Sequence, residues 1–305
     1  MTTIRKFYQE MCCAYSRSFV RDRPADLIMR VLCAPYFRQV HGYWPNFRKP
    51  RSFSEKVWYR MLFDRNPLWT LLSDKWAVRQ YVAERAGTEC LIPVLWHGIN
   101  PEDIPFDNLP NRFVIKATHG CGYNIIIPDK GQVNRTEIVF RLRQWIKENY
   151  GTDVFPGIQW GYKNIKPAII VEQFLGSNGI VPWDYKIYCF AGRVHFVEVH
   201  LDRFVQHATA AMDRNFDPVN TLFGEVGQHA PVGRPENHQE LIRVAEALAE
   251  GLDFIRVDLY AVKGHIYFGE LTCYHGGGCQ PCATRQTDCS LGRLWELPAS
   301  RGGET

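Results

Sequence analysis

Two strand-like runs in the last quarter of the sequence constrain most strongly what this chain can fold into. Residues 254–260 (FIRVDLY) and 266–272 (IYFGELT) are rich in strand-forming residues, and the short glycine-bearing segment between them predicts an antiparallel hairpin. Because alternate side chains of a strand share a face, Arg256 and Asp258 point to one side of the first strand. The hairpin therefore places charged groups on an otherwise apolar pair of strands.

The loop length of this hairpin decides which charged groups meet. A two-residue loop would place Val257 opposite Glu270, whereas a three-residue loop places Asp258 opposite Glu270. The three-residue loop also leaves one uniformly apolar back face, and we expect that register, with Phe268 on the same face as Glu270. Directly opposed residues have Cβ atoms about 4.5–5.5 Å apart.

Two carboxylates at that separation repel each other unless a proton or a cation lies between them. Asp258 and Glu270, with the Thr272 hydroxyl nearby, form an oxygen-only donor set, and such a set favours Mg²⁺. The alternative is that one of the two acids simply pairs with Arg256. The hairpin alone leaves both interpretations open.

A second candidate site is the run FVIKATHGCGYN over residues 113–124. A strand ends at Lys116, and glycines in the loop that follows, Gly120 and Gly122, let backbone amides approach phosphate oxygens. The pattern is neither a Walker A nor a dinucleotide-binding motif. The glycines could alternatively serve only to make a turn.

Three further charged positions stand out. Glu172 comes at the end of an apolar strand, where it could be an edge charge or a group that lies beside a bound adenine. Lys186 shares a strand face with Asp184, where it could bind an anion or form a salt bridge with Asp184. Lys75 is expected in the first turn of a helix after Ser73, where the helix dipole disfavours a cation.

The remaining patterns predict an α+β fold with a mixed sheet. Helices are expected over 4–40, 55–62, 74–86, 135–150 and 236–252, and strands over 91–96, 112–117, 124–128, 168–174, 185–190, 194–200, 254–262 and 265–272.

Charge and composition limit the partners and the compartment. The net charge of +4 does not indicate a nucleic-acid partner, but residues 1–50 hold nine Lys and Arg against three acids. That segment is interpreted as a solvated helical face or as a surface weakly attracted to an anionic polymer or membrane. No apolar run approaches the roughly 20 residues of a membrane span, so we expect a cytoplasmic protein with reduced cysteines. Cys279 and Cys282 could form half of a zinc site, but Cys273 and Cys289 complete it poorly, and buried thiols are the simpler expectation.

Taken in order, these stretches resemble the TupA-like family of the ATP-grasp superfamily, a family named for teichuronopeptide biosynthesis. The resemblance covers roughly residues 50–292 and is carried by Phe53-Ser-Glu-Lys56, Asp64-Arg-Asn-Pro67, Ser73-Asp-Lys75, Phe113-Val-Ile-Lys116 with His119-Gly120, Asp184-Tyr-Lys186, Arg256-Val-Asp258 and Phe268-Gly-Glu-Leu-Thr272.

The resemblance implies a fold, its boundaries and its cofactors. It implies two α+β subdomains that clasp ATP, preceded by a basic helical region over residues 1–70. The ATP-grasp domain would span 71–298, with a lid over about 111–171 and a metal-binding subdomain over about 172–298. The implied cofactors are ATP and Mg²⁺.

The resemblance also implies roles for individual residues. Lys186 and Arg256 would be catalytic and face the γ-phosphate, and Thr272 stands where the wider superfamily usually has Asn, which leaves one metal ligand in doubt. The implied ATP-binding residues are Lys75, Lys116, His119, Gly120, Cys121, Gly122, Glu172 and Asp184, and the implied metal ligands are Asp258, Glu270 and Thr272.

The implied activity is a carboxylate–amine ligation through an acylphosphate. The family's association with cell-surface polymers implies saccharide or amino-acid substrates and peripheral contact with membrane-linked polysaccharide machinery at the inner membrane face. A glycosyltransferase of a polysaccharide pathway, a kinase on the same fold and a non-catalytic nucleotide-binding module are the alternatives.

Overall fold

A computed structural model describes residues 27–153, 158–176, 181–201, 207–224, 228–229 and 232–298. Most of the expected N-terminal helix, residues 4–26, lies outside the described residues. The architecture combines helices with two largely antiparallel sheets, so the predicted α+β class is confirmed. The helices are α1 (Leu27–His41), α2 (Phe53–Phe63), α3 (Leu68–Ser73), α4 (Val78–Ala86), α5 (Arg135–Lys147), α6 (Tyr150–Asp153), α7 (Trp160–Lys163), α8 (His238–Ala249) and α9 (Arg285–Leu294).

The first sheet has four antiparallel strands in the order β1-β4-β2-β3. Its strands are β1 (Val94–Gly98), β2 (Phe113–Ala117), β3 (Asn124–Ile127) and β4 (Ile169–Gln173). Apolar residues of this sheet and of α5 form a small core of their own, which includes Phe113, Ile115 and Leu142. Lys116 lies near the end of the strand that enters the glycine loop, as the sequence predicts.

The second sheet has six strands in the order β10-β9-β5-β6-β7-β8, antiparallel except for the parallel pair β7–β8. Its strands are β5 (Asp184–Phe190), β6 (Arg193–Leu201), β7 (Ala208–Asp213), β8 (Gln228–His229), β9 (Phe254–Val262) and β10 (His265–Thr272). The chain passes directly from β4 to β5, so residues 174–183 connect the two sheets. The acid at position 172 therefore stands just before the connection.

The N-terminal helices share one core with the second sheet. Arg60 on α2 is completely buried, donates to Asp253 Oδ1 at 2.5 Å and to the Phe254 carbonyl at 2.9 Å, and lies over the rings of Trp69 and Trp295. Because this arginine joins α2 to the start of β9, the helical region over residues 53–63 supports the strand that carries Asp258.

Ser52 caps α2 by a capping box: its hydroxyl accepts from the Glu55 backbone N–H while the Glu55 carboxylate accepts from the Ser52 N–H. A capping box satisfies two helix donors that would otherwise be unpaired. The nearby Ser54 does not cap the helix, and its backbone N–H instead donates to Asp288 Oδ1 at 2.8 Å. Lys75 is displaced from its predicted place, because α3 ends at Ser73 and α4 begins at Val78, so Lys75 lies in the turn between them.

The hairpin β9–β10 forms, but the expected three-residue loop is wrong. His265 pairs with Val262, so the turn has two residues, Lys263 and Gly264, both at positive φ (51° and 83°). Two-residue turns of this kind match the twist of the strands they join. A β-bulge at Gly269 then shifts the register by one residue.

Beyond the bulge, Asp258 pairs with Glu270 and Arg256 with Thr272, as expected. Phe268 pairs with Leu259, so it lies on the apolar face and not on the face of Glu270, contrary to the prediction. The bulge separates the two faces because one extra residue moves every following side chain to the opposite side.

Candidate active site

Four charged residues form a row across adjacent strands of the second sheet. Register pairs join Glu270 on β10 to Asp258 on β9, Asp258 to Lys186 on β5, and Lys186 to Glu198 on β6. Residues paired in this way have side chains on the same face of the sheet. Arg256, which pairs with Tyr188, is the next residue of β9 on the same face and lies beside this row.

Asp258 lies at the centre of a buried ion cluster. Its Oδ1 accepts from Arg256 Nε and its Oδ2 accepts from both Arg256 Nη2 and Lys186 Nζ, each at 2.7 Å. Burial acts to raise the pKa of Asp258, but the charges of Arg256 and Lys186 outweigh it and hold the pKa well below its usual value. Asp258 is therefore ionised.

Lys186 and Arg256 are both nearly inaccessible to solvent. Lys186 Nζ also donates to Asp184 Oδ2 at 2.7 Å, so this lysine joins two carboxylates. Burial acts to lower the pKa of Lys186, but Asp184 and Asp258 reverse the effect and raise it. The salt bridge between Lys186 and Asp184 that the sequence left open is thus present.

Glu270 and Thr272 lie at the edge of the same cluster. Arg256 Nη2 is 3.3 Å from Glu270 Oε1 and donates to Thr272 Oγ1 at 2.9 Å, and the Thr272 hydroxyl donates to Glu270 Oε1 at 3.2 Å. Glu270 is the more open acid, with 32% of its side chain exposed against 3% for Asp258. Arg256 therefore contacts both acids, and the pairing that the sequence offered as an alternative to a metal is present.

These oxygens fit Mg²⁺ only together with a nucleotide. Among the described residues, no group of three or more His, Cys, Asp and Glu side chains gathers as a complete metal cage. Magnesium in proteins is usually held by one or two carboxylates plus substrate phosphates. Oε2 of Glu270 accepts no hydrogen bond from the described residues, so Asp258 and Glu270 suit that mode.

The glycine loop between β2 and β3 contacts the turn that carries Lys75. The Lys75 backbone N–H donates to the Thr118 carbonyl at 3.0 Å, and its ammonium group donates to the Gly120 carbonyl. A Cβ at position 120 would lie 2.6 Å from the Tyr123 ring, so only glycine allows this approach. Gly122 has φ +76°. Lys75 and the loop thus form one unit.

Charges of the ion cluster on the second sheet influence the loop residue Cys121. Although the Cys121 side chain reaches solvent, the surrounding cleft raises the pKa of its thiol by burial, and the charge of Glu270 acts in the same direction. Lys75 and Arg256 are close enough to oppose the shift. Cys121 is therefore within electrostatic reach of Glu270 and Arg256.

His119 faces away from this cleft. Its ring is 1% exposed, and Nε2 lies 2.8 Å from the Trp145 carbonyl of α5. Burial lowers the pKa of His119, so the imidazole is neutral near neutral pH. Its geometry anchors the loop to α5, and its predicted contact with ATP stays a prediction.

A cleft at the junction of the two sheets holds the other predicted nucleotide residues. Lys116 Nζ forms a 2.6 Å ion pair with Glu172 Oε2, and Arg79 lies 3.3 Å from Oε1 of the same acid. The cleft contains about 650 Å³ of space between the atoms, including solvent at its open mouth. Its walls are Ile92, Val114, Lys116, Asn124, Ile126, Glu172, Gln173, Phe174, Leu175, Val181, Pro182, Asp184 and Tyr260.

The structure thus brings together two groups of the predicted residues. One group is the ion cluster on the second sheet, and the other is the cleft with Lys116, Glu172 and Asp184. Sequence reasoning missed Arg79, Glu198 and Tyr260. Glu198 and His200 are two residues apart on a strand that was predicted, so they share one face of the sheet. Two polar residues on one face of this apolar strand were the signal that could have identified Glu198.

Within the described part of the chain, the cysteines do not gather into the zinc site that Cys279 and Cys282 could have begun. Cys273 is buried with its sulfur 3.8 Å from Ser73 Oγ, and Cys279 lies 3.5 Å from the Tyr36 hydroxyl. Cys273 thus packs in the interior, whereas Cys279 is partly exposed. Separately, no helix in the described ranges is long and apolar enough to cross a membrane.

Two sheets with a cleft at their junction and a charged row on one of them are the arrangement of an ATP-grasp protein. More specifically, the family model described as TupA-like ATPgrasp matches residues 55–296, and the chain belongs to that family. No curated protein sequence matches the chain.

Solved structures of ATP-grasp ligases are similar to parts of this chain. D-alanine–D-alanine ligase from Bacillus anthracis complexed with ATP is 15% identical, over 67% of this chain and 54% of that one, with a TM-score of 0.39. L-amino acid ligase from Bacillus licheniformis is 15% identical, over 68% of this chain and 41% of that one, with a TM-score of 0.38. The chain thus spans about half the length of the structures it matches.

Proposed function

We propose that this protein is an ATP-dependent ligase that joins a carboxylate to an amine through an acylphosphate. The observation that carries the proposal is the juxtaposition of Asp258 and Glu270 with Lys186 and Arg256 on adjacent strands. Phosphoryl transfer is catalysed mainly by positioning and by neutralising spread negative charge. The family membership supports ATP as the nucleotide.

The cleft at the sheet junction would hold the adenosine part of ATP. Its apolar walls suit an aromatic base, while Lys116 and Lys75 stand on the side of the glycine loop and would contact the phosphates. Glu172 would then lie near the base, fixed by Lys116 and Arg79. Asp258, Glu270 and the Thr272 hydroxyl would hold Mg²⁺, which supplies neutralisation of the phosphate charge when bound.

Lys186 and Arg256 would change partners when the nucleotide enters. In the protein alone both cations neutralise Asp258. When Asp258 has a metal partner as well, the two cations can donate to phosphate oxygens and to the substrate carboxylate. Arginine suits this role because its planar group binds two oxygens at once.

The reaction then needs no protein nucleophile. An oxygen of the substrate carboxylate bonds to the γ-phosphorus while the bond from that phosphorus to the β,γ-bridging oxygen breaks, which releases ADP and leaves an acylphosphate. The neutral amine nitrogen attacks the acyl carbon, the bond from that carbon to the phosphate oxygen breaks, and a proton passes from the nitrogen to the departing phosphate, so that hydrogen phosphate and an amide are produced. The glycine loop would exclude water, which would otherwise hydrolyse the acylphosphate.

For the substrates, only the chemical class is proposed. We propose a saccharide or amino-acid carboxylate and an amine of a cell-surface polymer pathway, in the cytoplasm, with peripheral contact to membrane-linked polysaccharide machinery. The exposed basic residues Arg38, Arg48 and Lys49 support such a contact.

Hydroxylamine trapping tests the proposal. The protein is incubated with ATP, Mg²⁺, hydroxylamine and a panel of sugar acids and amino acids, and hydroxamate, ADP and phosphate are measured. The expected result is hydroxamate in equal amount to ADP for at least one acid. A phosphorylated product without hydroxamate would instead identify a kinase, and consumption of nucleotide sugars but not ATP would support a glycosyltransferase.

Two Glu→Gln variants make the test specific to the site. Glu270→Gln should lower hydroxamate formation by about 100-fold or more, because it removes a charge where a metal and phosphates would meet. Glu250→Gln is the matched control, since the Glu250 side chain is 82% exposed and lies outside the site. Equal activity of the two variants would contradict the assignment of Glu270.

A further inference from the structure

The charged row continues past Lys186 to a carboxylate that has no assigned role. Glu198 is 8% exposed, and its Oε2 accepts from the Tyr188 hydroxyl at 3.2 Å and lies 3.4 Å from His200 Nε2. Burial acts to raise the pKa of Glu198, but the hydrogen bond from His200 outweighs it and the pKa is lowered. Glu198 is therefore a buried negative charge.

This charge lacks a strong cationic partner. Lys186 is opposite Glu198 in register, but its ammonium group is held by Asp184 and Asp258 at 2.7 Å each. Among the described residues, the only ion-pair partner of Glu198 is the imidazole of His200. The imidazole of His200 is a weaker counter-charge than a lysine or an arginine, so the negative charge of Glu198 can still attract a cation.

The hydrogen-bond directions around Glu198 leave a nearby acceptor that no described donor fills. A carboxylate only accepts, so the single Tyr188 hydroxyl proton goes to Glu198, and Tyr188 must then accept from His275 Nδ1, 3.4 Å away. This tautomer leaves Nε2 of His275 as an unprotonated acceptor. His275 is 2% exposed, and that nitrogen has no partner in the described part of the chain.

We infer that Glu198, with Tyr188 and His200 around it, forms the subsite for the ammonium group of the amine substrate. An ammonium carries a charge opposite to that of Glu198 and donates up to three N–H groups, for which Glu198 and Nε2 of His275 offer acceptors, while Tyr188 and His200 hold the carboxylate in place. One proton leaves the bound ammonium to solvent before its nitrogen attacks the acylphosphate. Adjacent strands are about 4.8 Å apart, so Glu198 lies one strand from Lys186, where the acylphosphate would form. The inference rests on the proposed ligase function.

Two nucleophiles of different charge test this subsite. Near neutral pH hydroxylamine is uncharged, whereas methylamine is cationic. With the acid that yields hydroxamate, the rates of hydroxamate and of N-methylamide formation are measured at subsaturating nucleophile, and their ratio is compared between the wild-type protein and Glu198→Gln. The ratio of amide to hydroxamate should fall by about 30-fold, which is typical of losing a buried charge partner.

Further variants separate binding from a structural role. Glu198→Asp keeps the charge and should restore most of the ratio, whereas exposed Glu240→Gln, the matched control, should have the wild-type ratio. A Glu198→Gln variant in which both rates fall together, or in which the ratio matches the wild-type value, overturns the subsite. Absence of hydroxamate from the wild-type protein with every acid overturns the proposed function and this inference with it.

Discussion

The β-bulge at Gly269 offers a direct test of how the hairpin positions the site. A Cβ built at Gly269 would lie 2.9 Å from the Asp258 carbonyl oxygen and 3.1 Å from Cε2 of Tyr260. Ordinary contacts of a Cβ begin at about 3.4 Å. The backbone of one strand must therefore move by several tenths of an ångström to accept Gly269→Ala, and this movement occurs beside the pair Asp258–Glu270.

The expected cost follows from two opposing effects. Forcing a methyl group into a packed position typically costs about 1–3 kcal/mol. Replacing glycine by alanine also restricts the unfolded chain, which stabilises a protein by about 0.4–1 kcal/mol. Gly269→Ala should therefore lower the free energy of unfolding by about 1–2 kcal/mol, measured by urea denaturation.

The site should respond as well as the stability. Because Glu270 directly follows the bulge, its carboxylate should shift relative to Asp258, and the Kd for Mg·ATP from calorimetry should rise by about tenfold. Gly264→Ala is the matched control: its position is open but has φ +83°, so it should cost about 1 kcal/mol without changing nucleotide affinity. A Gly269→Ala protein as stable as the wild type, or with its nucleotide affinity, would refute this account.

Three further predictions concern single charged groups. Asp258→Asn should lower the free energy of unfolding at pH 7 by about 3–5 kcal/mol, because it leaves two buried cations without their full partner. Because the folded-state pKa of Asp258 is lowered, its contribution is present above the unfolded value of about 3.9 and is lost as the pH falls below it, so urea denaturation of wild type and variant should converge in acid. Burial lowers the pKa of His275 to about 3, so His275 should lower the free energy of unfolding of the wild-type protein by up to about 1.4 kcal/mol per pH unit as the pH falls below about 6.5. In His275→Asn, the free energy of unfolding from urea denaturation should depend less steeply on pH, by the equivalent of one proton. Lys116→Met should weaken Mg·ATP binding by about 30-fold and adenosine binding by less than about threefold, measured by calorimetry, and equal losses for both ligands would remove Lys116 from the phosphate site.

Much of the fold follows from local patterns in the sequence. Every strand predicted from an apolar run is present within a few residues of its predicted limits. The central strands β4, β5 and β9 are buried along most of their length, whereas the edge strands β1, β3 and β10 are only partly buried. Strands β7 and β8 and helices α3, α6, α7 and α9 were missed. Ala208–Asp213 is dominated by alanine and has no strong strand-forming run, and Arg285–Leu294 is mostly polar, so neither has the apolar pattern that sequence reasoning needs.

The candidate site was harder to predict where it depends on distant contacts. Lys75 was expected to be notable because it opposed a helix dipole, yet it lies in a turn and its ammonium group reaches the Gly120 carbonyl. His119 was grouped with the phosphate loop by its neighbours, but its ring faces α5 and meets the Trp145 carbonyl. Such pairings between separate segments leave no periodic signal in the sequence.

The register of the hairpin shows how a correct pairing can follow from a wrong premise. The apolar back face required Asp258 opposite Glu270, and that requirement was sound because burial penalises charge on the core side. The loop length inferred from it was wrong, since a two-residue turn suits the strand twist better and the bulge at Gly269 corrects the register afterwards. The turn and the acid pair are thus specified separately, by local backbone preference and by burial. Glycine at position 269 is what makes the two compatible, because any side chain there would meet the Asp258 carbonyl.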